Sequence, residues 1–111
     1  FIHIILSVKP AVFLSYEREA YYSLDGSDFR VTFDENILYR ENELNLGGDI
    51  YGTPLLEEGK TLMEIKTSGG YPLWMSHILT ELNVYKASFT KYGAAYRCII
   101  ANRTKEVCYA C

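Results

Sequence analysis

Apolar and polar residues alternate with a period of two along three stretches of the chain, and this pattern predicts β-strands. The stretches are 11–18 with an extension to 23, 28–34, and 62–67. Residues 37–40 form a fourth, shorter candidate strand. In each of the three longer stretches one face is apolar and the other carries charge, as in an antiparallel sheet that buries one face.

The two faces of these strands differ in their side chains. The apolar faces carry Phe29, Val31, Phe33, Met63 and Ile65. The opposite faces carry Arg18, Arg30, Asp34, Glu64 and Lys66. Charge therefore recurs in register on one side of the predicted sheet.

A helical pattern follows the third strand. Pro72 suits the first turn of a helix, and that helix runs to about Asn83. Its predicted apolar stripe consists of Trp74, Ile78, Leu79 and Leu82. Residues 1–8 are compatible with the end of another helix, which Lys9-Pro10 would terminate.

The remaining segments have weaker patterns. Residues 41–61 are rich in turn signals and predict a mostly exposed loop with at most one short strand. Residues 87–92 predict a short strand or a turn. Together the elements predict an α+β fold, mainly an antiparallel sheet, with at least one helix packed outside it.

Length, charge and cysteine usage restrict the class of protein. The chain has 111 residues and a net charge of −3, which fits one small domain or part of a larger one and does not indicate a nucleic-acid partner. No stretch approaches the ~18–20 apolar residues of a membrane span. Cys98, Cys108 and Cys111 are odd in number and clustered late in the chain, which argues against a disulfide framework and favours a cytoplasmic protein.

The charged face has two interpretations. Antiparallel sheets often expose one solvated polar face, and the alternation is fully consistent with that. The alternative is a closed or nearly closed barrel with a ligand-holding polar interior. Arginine suits phosphate oxygens because its planar donors bind two at once, and a carboxylate two residues from a lysine suits a metal beside phosphate.

Four segments favour the second interpretation because, in this order, they resemble the VTC domain, a polyphosphate polymerase of the triphosphate tunnel metalloenzyme group. They are KPAVFLSYEREAY (9–21), FRVTFDENILYR (29–40), LLEEGKTLMEIKTSGGYPLW (55–74) and SFTKYGAAY (88–96). No single segment is specific, but the set covers about half the chain. The resemblance places residues 1–111 in the C-terminal part of the family's domain, about half of a β-tunnel.

The resemblance implies a metal-dependent transfer of the ATP terminal phosphoryl group to a growing polyphosphate chain. Arg18 and Arg30 match arginines expected to contact phosphate, and Lys66 and Lys91 match catalytic lysines that also contact it. Glu64 matches the expected ligand of a divalent metal, Mn or Mg. Thr90 stands where the family usually has serine, and the hydroxyl is kept.

Other functions of the same fold remain open at this stage. A tunnel domain can bind polyphosphate or triphosphate without making it, or hydrolyse tripolyphosphate, and a purely structural β-domain is a further alternative. The basic cluster of the family's N-terminal half has no match here, so we expect this chain alone to be inactive. Unpaired strand edges predict a homo-oligomer formed through the sheet edges.

Overall fold

The computed structural model describes residues 9–103, which form four strands and two helices. The strands are β1 (Phe13–Tyr22), β2 (Arg30–Arg40), β3 (Thr53–Pro54) and β4 (Leu62–Lys66); the helices are α1 (Leu73–Glu81) and α2 (Lys91–Arg103). All strand pairs are antiparallel, and β2 lies at the centre, with β1 on one side and β3 and β4 on the other. The fold is therefore α+β and mainly antiparallel, as predicted. The predicted helix at 1–8 lies outside the described residues.

The central strand is continuous where the sequence suggested two separate strands. Its register against β1 shifts between Ser15 and Glu17, and opposite this shift Asn36 adopts a positive φ of 49°. Asn36 tolerates this conformation better than most residues, and its side-chain amide donates to Glu17 Oε2 at 2.8 Å. The irregularity has the form of a β-bulge, which places one extra residue in β2 and changes which side chains share a face.

The apolar face of the sheet, called here the outer face, is covered by α1. Phe29, Val31 and Met75 are buried together, and Phe33, Met63, Ile65 and Leu79 pack against them. Trp74 meets Phe29 edge-on at 5.9 Å between ring centroids. The helix thus packs outside the charged face, as predicted.

The predicted apolar stripe of α1 is wrong in part. Ile78 is 42% exposed and Leu82 66% exposed, whereas Met75 is buried and Leu79 packs on the sheet. Met75 and Leu79 are four residues apart and so lie on one side of the helix. The helix carries two adjacent apolar stripes, and a period of 3.6 does not say which of them meets the sheet.

The second helix covers the opposite face at the far end of the sheet. Ala94, Ala95, Cys98 and Ile99 are buried against Ile37, Tyr39 and Leu55. The prediction of a strand or turn at 87–92 is therefore wrong at its end, because α2 already begins at Lys91. Gly93 and several aromatic residues weaken the intrinsic helical preference of this segment, and burial of one side of the helix against the sheet outweighs that weakness.

A single arginine organises the loop between β2 and β3. Arg40 is only 4% exposed, and its guanidinium donates to the carbonyl oxygens of Asn42, Glu43, Asp49 and Tyr51 at 2.8–2.9 Å. Its Cζ also lies 3.6 Å from the centroid of the Phe13 ring and 4.2 Å from that of Tyr51. The backbone carbonyl groups of this irregular loop thus accept hydrogen bonds from a charged donor, the Arg40 guanidinium.

The sheet is open within the described residues. β1 and β4 each pair with β2 on one side only, which is consistent with part of a tunnel wall and not with a closed one. Neither described helix combines the length and apolar character needed to cross a membrane.

Candidate functional site

The face opposite α1, called here the inner face, gathers the charged residues of three strands. Arg18 pairs with Asp34 in the register of β1 and β2, and Arg30 pairs with Lys66 in the register of β2 and β4. Glu64 is two residues from Lys66 and therefore shares its face. The structure thus brings the four charged strand residues of the predicted site to one side of the sheet, on three neighbouring strands.

Asp34 is the buried centre of this face. Its side chain is fully buried, and it accepts two hydrogen bonds from Arg18, Nε to Oδ1 at 2.6 Å and Nη2 to Oδ2 at 2.7 Å. This two-point geometry is the strong form of an arginine–carboxylate pair. The hydrogen bonds from Arg18, opposed by burial and assisted by Lys91, lower the pKa of Asp34, and the same pair raises the pKa of Arg18.

Lys91 reaches the same cluster from the first turn of α2. Its Nζ lies 2.6 Å from Asp34 Oδ2 and 2.9 Å from Glu64 Oε1, and 4.5 Å from the ring centroid of Tyr16. The side chain is only 12% exposed. Burial lowers the pKa of Lys91, but its hydrogen bonds with Asp34 and Glu64 outweigh that effect, so the pKa is raised and the ammonium stays charged.

The position of Lys91 depends on the cap of its helix. The Thr90 hydroxyl accepts a hydrogen bond from the Gly93 N–H at 3.1 Å, and the Thr90 carbonyl accepts from Ala94 at 2.9 Å. Thr90 is therefore the N-cap of α2. A Cβ atom at Gly93 would lie 2.5 Å from Thr90 Oγ1, so glycine leaves room for the capping hydroxyl.

Arg30 and Lys66 form the open part of the inner face. The side chain of Arg30 is exposed and has no hydrogen bond or ion pair within residues 9–103. Lys66 is more than half exposed, and its Nζ lies 3.8 Å from Glu64 Oε2. Two like charges directly opposite each other on neighbouring strands destabilise a sheet. An anion bound between them would remove this repulsion.

The geometry revises several expectations about single residues. Asp34 was predicted on the charged face, and the structure shows that it binds Arg18 and Lys91 and not Arg30. The predicted contact of Lys91 with phosphate now requires an exchange of partners, because its ammonium is bonded to two carboxylates. The phosphate and metal roles of the five site residues stay predictions.

Two residues of the inner face were not among the predicted site residues. Asp34 holds the cluster together, and the alternation of R-x-T-x-D already placed it on the charged face. Thr32 lies between Arg30 and Asp34 on the same face and is 7% exposed, yet its hydroxyl has no hydrogen-bond partner within residues 9–103. No sequence signal distinguishes such a hydroxyl from an ordinary strand threonine.

The donor set for a metal is small. No three His, Cys, Asp or Glu side chains of the described chain come together as a metal-binding group. Glu64, with a side chain 30% exposed, is the carboxylate that the inner face presents to solvent, because Asp34 is fully buried. Mg²⁺ commonly takes one or two carboxylates and completes its shell with substrate phosphates and water. The residues fit a metal that arrives with phosphate, and not one held by protein ligands alone.

Of three comparisons with known proteins, one gives a match. The family model of the VTC domain matches residues 3–100. Searches of curated proteins and of solved structures return no significant match. The match covers most of the chain and includes every strand, α1, and the part of α2 that carries Lys91. The chain therefore belongs to the VTC domain family.

Proposed function

We propose that this chain is part of a metal-dependent polyphosphate polymerase, which transfers the terminal phosphoryl group of ATP to a growing polyphosphate chain on the inner face. Membership of the VTC domain family supports a polyphosphate-related function. The inner face is suited to an anionic ligand, because its four cationic residues outnumber its two carboxylates. The inner face therefore carries an excess of positive charge, although the whole chain has a net charge of −3.

One observation carries the proposal: the open, like-charged pair of Arg30 and Lys66 beside Glu64. A merely solvated face would gain by placing opposite charges across the strands. A polyanion turns this repulsion into attraction, since each phosphate unit can lie between two cations. Polyphosphate, with one negative charge or more per unit, fits a face on which cations repeat from strand to strand.

The residues have separate roles in this proposal. Phosphoryl transfer depends on positioning and on neutralising charge on the phosphoryl oxygens. Arg30 and Lys66 bind phosphate oxygens directly, because the Arg30 side chain has no partner in the described residues and Lys66 is held only by a 3.8 Å ion pair with Glu64. Arg18 gives two N–H groups to Asp34 and keeps the rest of its guanidinium donors for a phosphate oxygen.

We propose that the ion pair between Glu64 and Lys91 opens when metal and phosphate bind together, with Glu64 binding the metal and Lys91 the phosphate. Lys91 occupies Glu64 Oε1 in this structure. When the ammonium turns from Glu64 to a phosphate oxygen, the carboxylate becomes available to Mg²⁺ or Mn²⁺. The metal would be held by Glu64 and would supply further charge neutralisation at the phosphoryl oxygens. Asp34 retains Lys91 near the site throughout, since it is bonded to the same ammonium.

The proposal is tested by replacing Glu64 with Gln in the intact protein. Synthesis of polyphosphate from ATP with Mg²⁺ or Mn²⁺ is expected to fall about 100-fold, because one charged metal ligand is worth a few kcal/mol in the transition state. Glu35→Gln is the matched control: Glu35 is exposed on the outer face of β2 and accepts from the Thr61 hydroxyl. Activity near that of the control would contradict the role of Glu64.

A second candidate function is a module that binds polyphosphate without making it. The small donor set for a metal favours it, because Glu64 is shared with two lysines. Binding of tripolyphosphate by the intact protein, unaffected by Glu64→Gln and without synthesis from ATP, would select this function. Metal-dependent release of phosphate from tripolyphosphate would instead select hydrolysis.

We further propose that the free edges of β1 and β4 pair with other strands in the working protein. Each strand uses one edge on β2 within the described residues, and unpaired edges recruit other strands. The added strands come from elsewhere in the protein or from a second copy. Light scattering of the intact protein distinguishes a monomer from a homo-oligomer.

A further inference from the structure

Thr32 has an unusual position for a threonine on a charged face. It alternates with Arg30 and Asp34 along β2, and its cross-strand neighbours are Ala20 and Glu64. The residue is 7% exposed, and its hydroxyl oxygen is buried without a hydrogen-bond partner among the described residues. A buried hydroxyl without a partner destabilises a protein, whereas valine would fill the same space without that loss.

We propose that Thr32 is a further phosphate-binding residue, whose hydroxyl donates a hydrogen bond to an oxygen of the bound phosphate chain. This inference rests on the proposed function of the inner face and adds a neutral donor to its cations. The two residues on either side of Thr32 along the strand define where that oxygen lies. Asp34 is saturated by Arg18 and Lys91, so the open direction is toward Arg30 and Lys66.

The hydroxyl becomes accessible when its neighbours take up the ligand. The side chain of Arg30 has no hydrogen bond or ion pair within the described residues, so it turns toward a phosphate without losing an interaction. Glu64 lies directly across the strands from Thr32 and loses Lys91 when the ammonium turns to phosphate. Arg30 and Glu64 are neighbours of Thr32 along and across the strands, so both movements take place beside it. The ligand then supplies the acceptor that the protein lacks.

Ser15 provides a matched control. Its hydroxyl is also buried and has no hydrogen-bond partner in the described part of the chain. It pairs with Leu38 and lies two residues from Phe13 on the outer face. Ser15 shares the unsatisfied state of Thr32 but not its position on the inner face.

The test is calorimetric titration of the intact protein with tripolyphosphate, together with its melting temperature without ligand. Thr32→Val is expected to weaken tripolyphosphate binding about tenfold, the effect of one hydrogen bond to a charged group. Its melting temperature should stay unchanged or rise, because no native hydrogen bond is lost. Thr32→Ser keeps the hydroxyl and should bind like the unchanged protein, as should Ser15→Ala.

Several results would overturn the inference. If Thr32→Val binds tripolyphosphate as tightly as Ser15→Ala does, the Thr32 hydroxyl does not contact the ligand. The same follows if Thr32→Ser weakens binding as much as Thr32→Val does. A markedly lower melting temperature of Thr32→Val would assign the hydroxyl a structural role, and Thr32→Ala would then show the same loss. If the unchanged protein does not bind tripolyphosphate, the proposed function fails and this inference fails with it. Unchanged affinity in Thr32→Val overturns only the inference.

Discussion

The two ends of β2 each carry an arginine, and the two arginines are used in opposite ways. Arg40 is buried, donates to four backbone carbonyls and lies against two aromatic rings. Arg30 is exposed, faces another cation, and has no bonded partner in residues 9–103. The same side chain on the same strand therefore completes the fold at one end and, at the other, points to solvent without a side-chain partner in the described residues.

The difference teaches how to distinguish structural from functional charge in this protein. A structural charge has its hydrogen-bonding groups satisfied by the protein, and removing it leaves those partners unpaired. A charge kept for a ligand contributes little to folding, and removing it costs binding. The Arg18–Asp34–Lys91 cluster lies between these extremes, because its centre is buried while the guanidinium of Arg18 remains one-third exposed.

The largest effect on stability is expected at Asp34. Asp34→Asn leaves Arg18 and Lys91 without the charge that they share, and breaking a buried ion pair costs about 3–5 kcal/mol; the partial exposure of Arg18 favours the lower end. Urea unfolding should show this loss. The adjacent Glu35→Gln, on the exposed outer face, serves as control and should change the free energy of unfolding by less than about 1 kcal/mol.

Lowering the pH gives a second test of the Asp34 ion pair. The pKa of Asp34 lies below its unfolded value of about 3.9 because Arg18 holds the carboxylate charged. The contribution of the pair is therefore present above about pH 4 and is lost as the pH falls from there through the folded pKa. The stability difference between the unchanged protein and Asp34→Asn should shrink below about pH 4. If this difference stays constant as the pH falls, the charge of Asp34 does not contribute the stability assigned to the ion pair.

Arg40 is expected to have the next largest effect. Arg40→Gln removes most of the charged donors for the loop carbonyls, and we expect a loss of about 2 kcal/mol in the free energy of unfolding, since exposed carbonyls then turn to water. Binding of tripolyphosphate should not change. Arg103→Gln is the control, because Arg103 forms an exposed ion pair with Glu41 at 3.3 Å, the kind worth about 0–1 kcal/mol. Equal stability of the two variants would contradict the structural role of Arg40.

Much of the fold follows from alternation alone. The faces of the first half of β2 and of β4 were predicted correctly because a period of two assigns each side chain to a side. The apolar face predicted for β1 is wrong, because Glu17 and Glu19 lie on the side opposite Arg18. The same alternation placed Arg18, Arg30, Glu64 and Lys66 on one face. Lys91 came from the family resemblance, and its helix was missed, since Thr90 capping and burial of Ala94 and Ala95 outweigh a weak helical preference.

What the sequence could not supply is pairing between elements. Alternation puts Arg18, Arg30 and Asp34 on one side but does not say which arginine meets the carboxylate; the register of β1 against β2 decides it. The bulge at Asn36 likewise transfers Ile37 and Tyr39 to the inner face, where α2 buries them. Buried Leu55 follows from pairing of β3 with β2, inside a segment whose composition indicates an exposed loop.

The smallest effect on stability, and the sharpest test of the comparison, is expected at Arg30. Arg30→Gln removes an exposed charge without a bonded partner, so the free energy of unfolding should change by no more than about 0.5 kcal/mol. A small gain is the favoured direction, because repulsion from Lys66 across the strands disappears. Affinity for tripolyphosphate should nevertheless fall about tenfold, the loss of one charged hydrogen bond to phosphate.

Arg30→Gln and Arg40→Gln together form a crossed design, since the substitution is identical and the strand is the same. The first should lose binding and keep stability, and the second should lose stability and keep binding. Affinity is measured by titration at two salt concentrations, because an electrostatic contact weakens as salt rises, and the salt dependence should be smaller in Arg30→Gln. If Arg30→Gln instead lowers stability as Arg40→Gln does, Arg30 has a structural partner. If it binds tripolyphosphate as tightly as the unchanged protein, the open end of β2 is a solvated surface and the inner face does not bind polyanions through it.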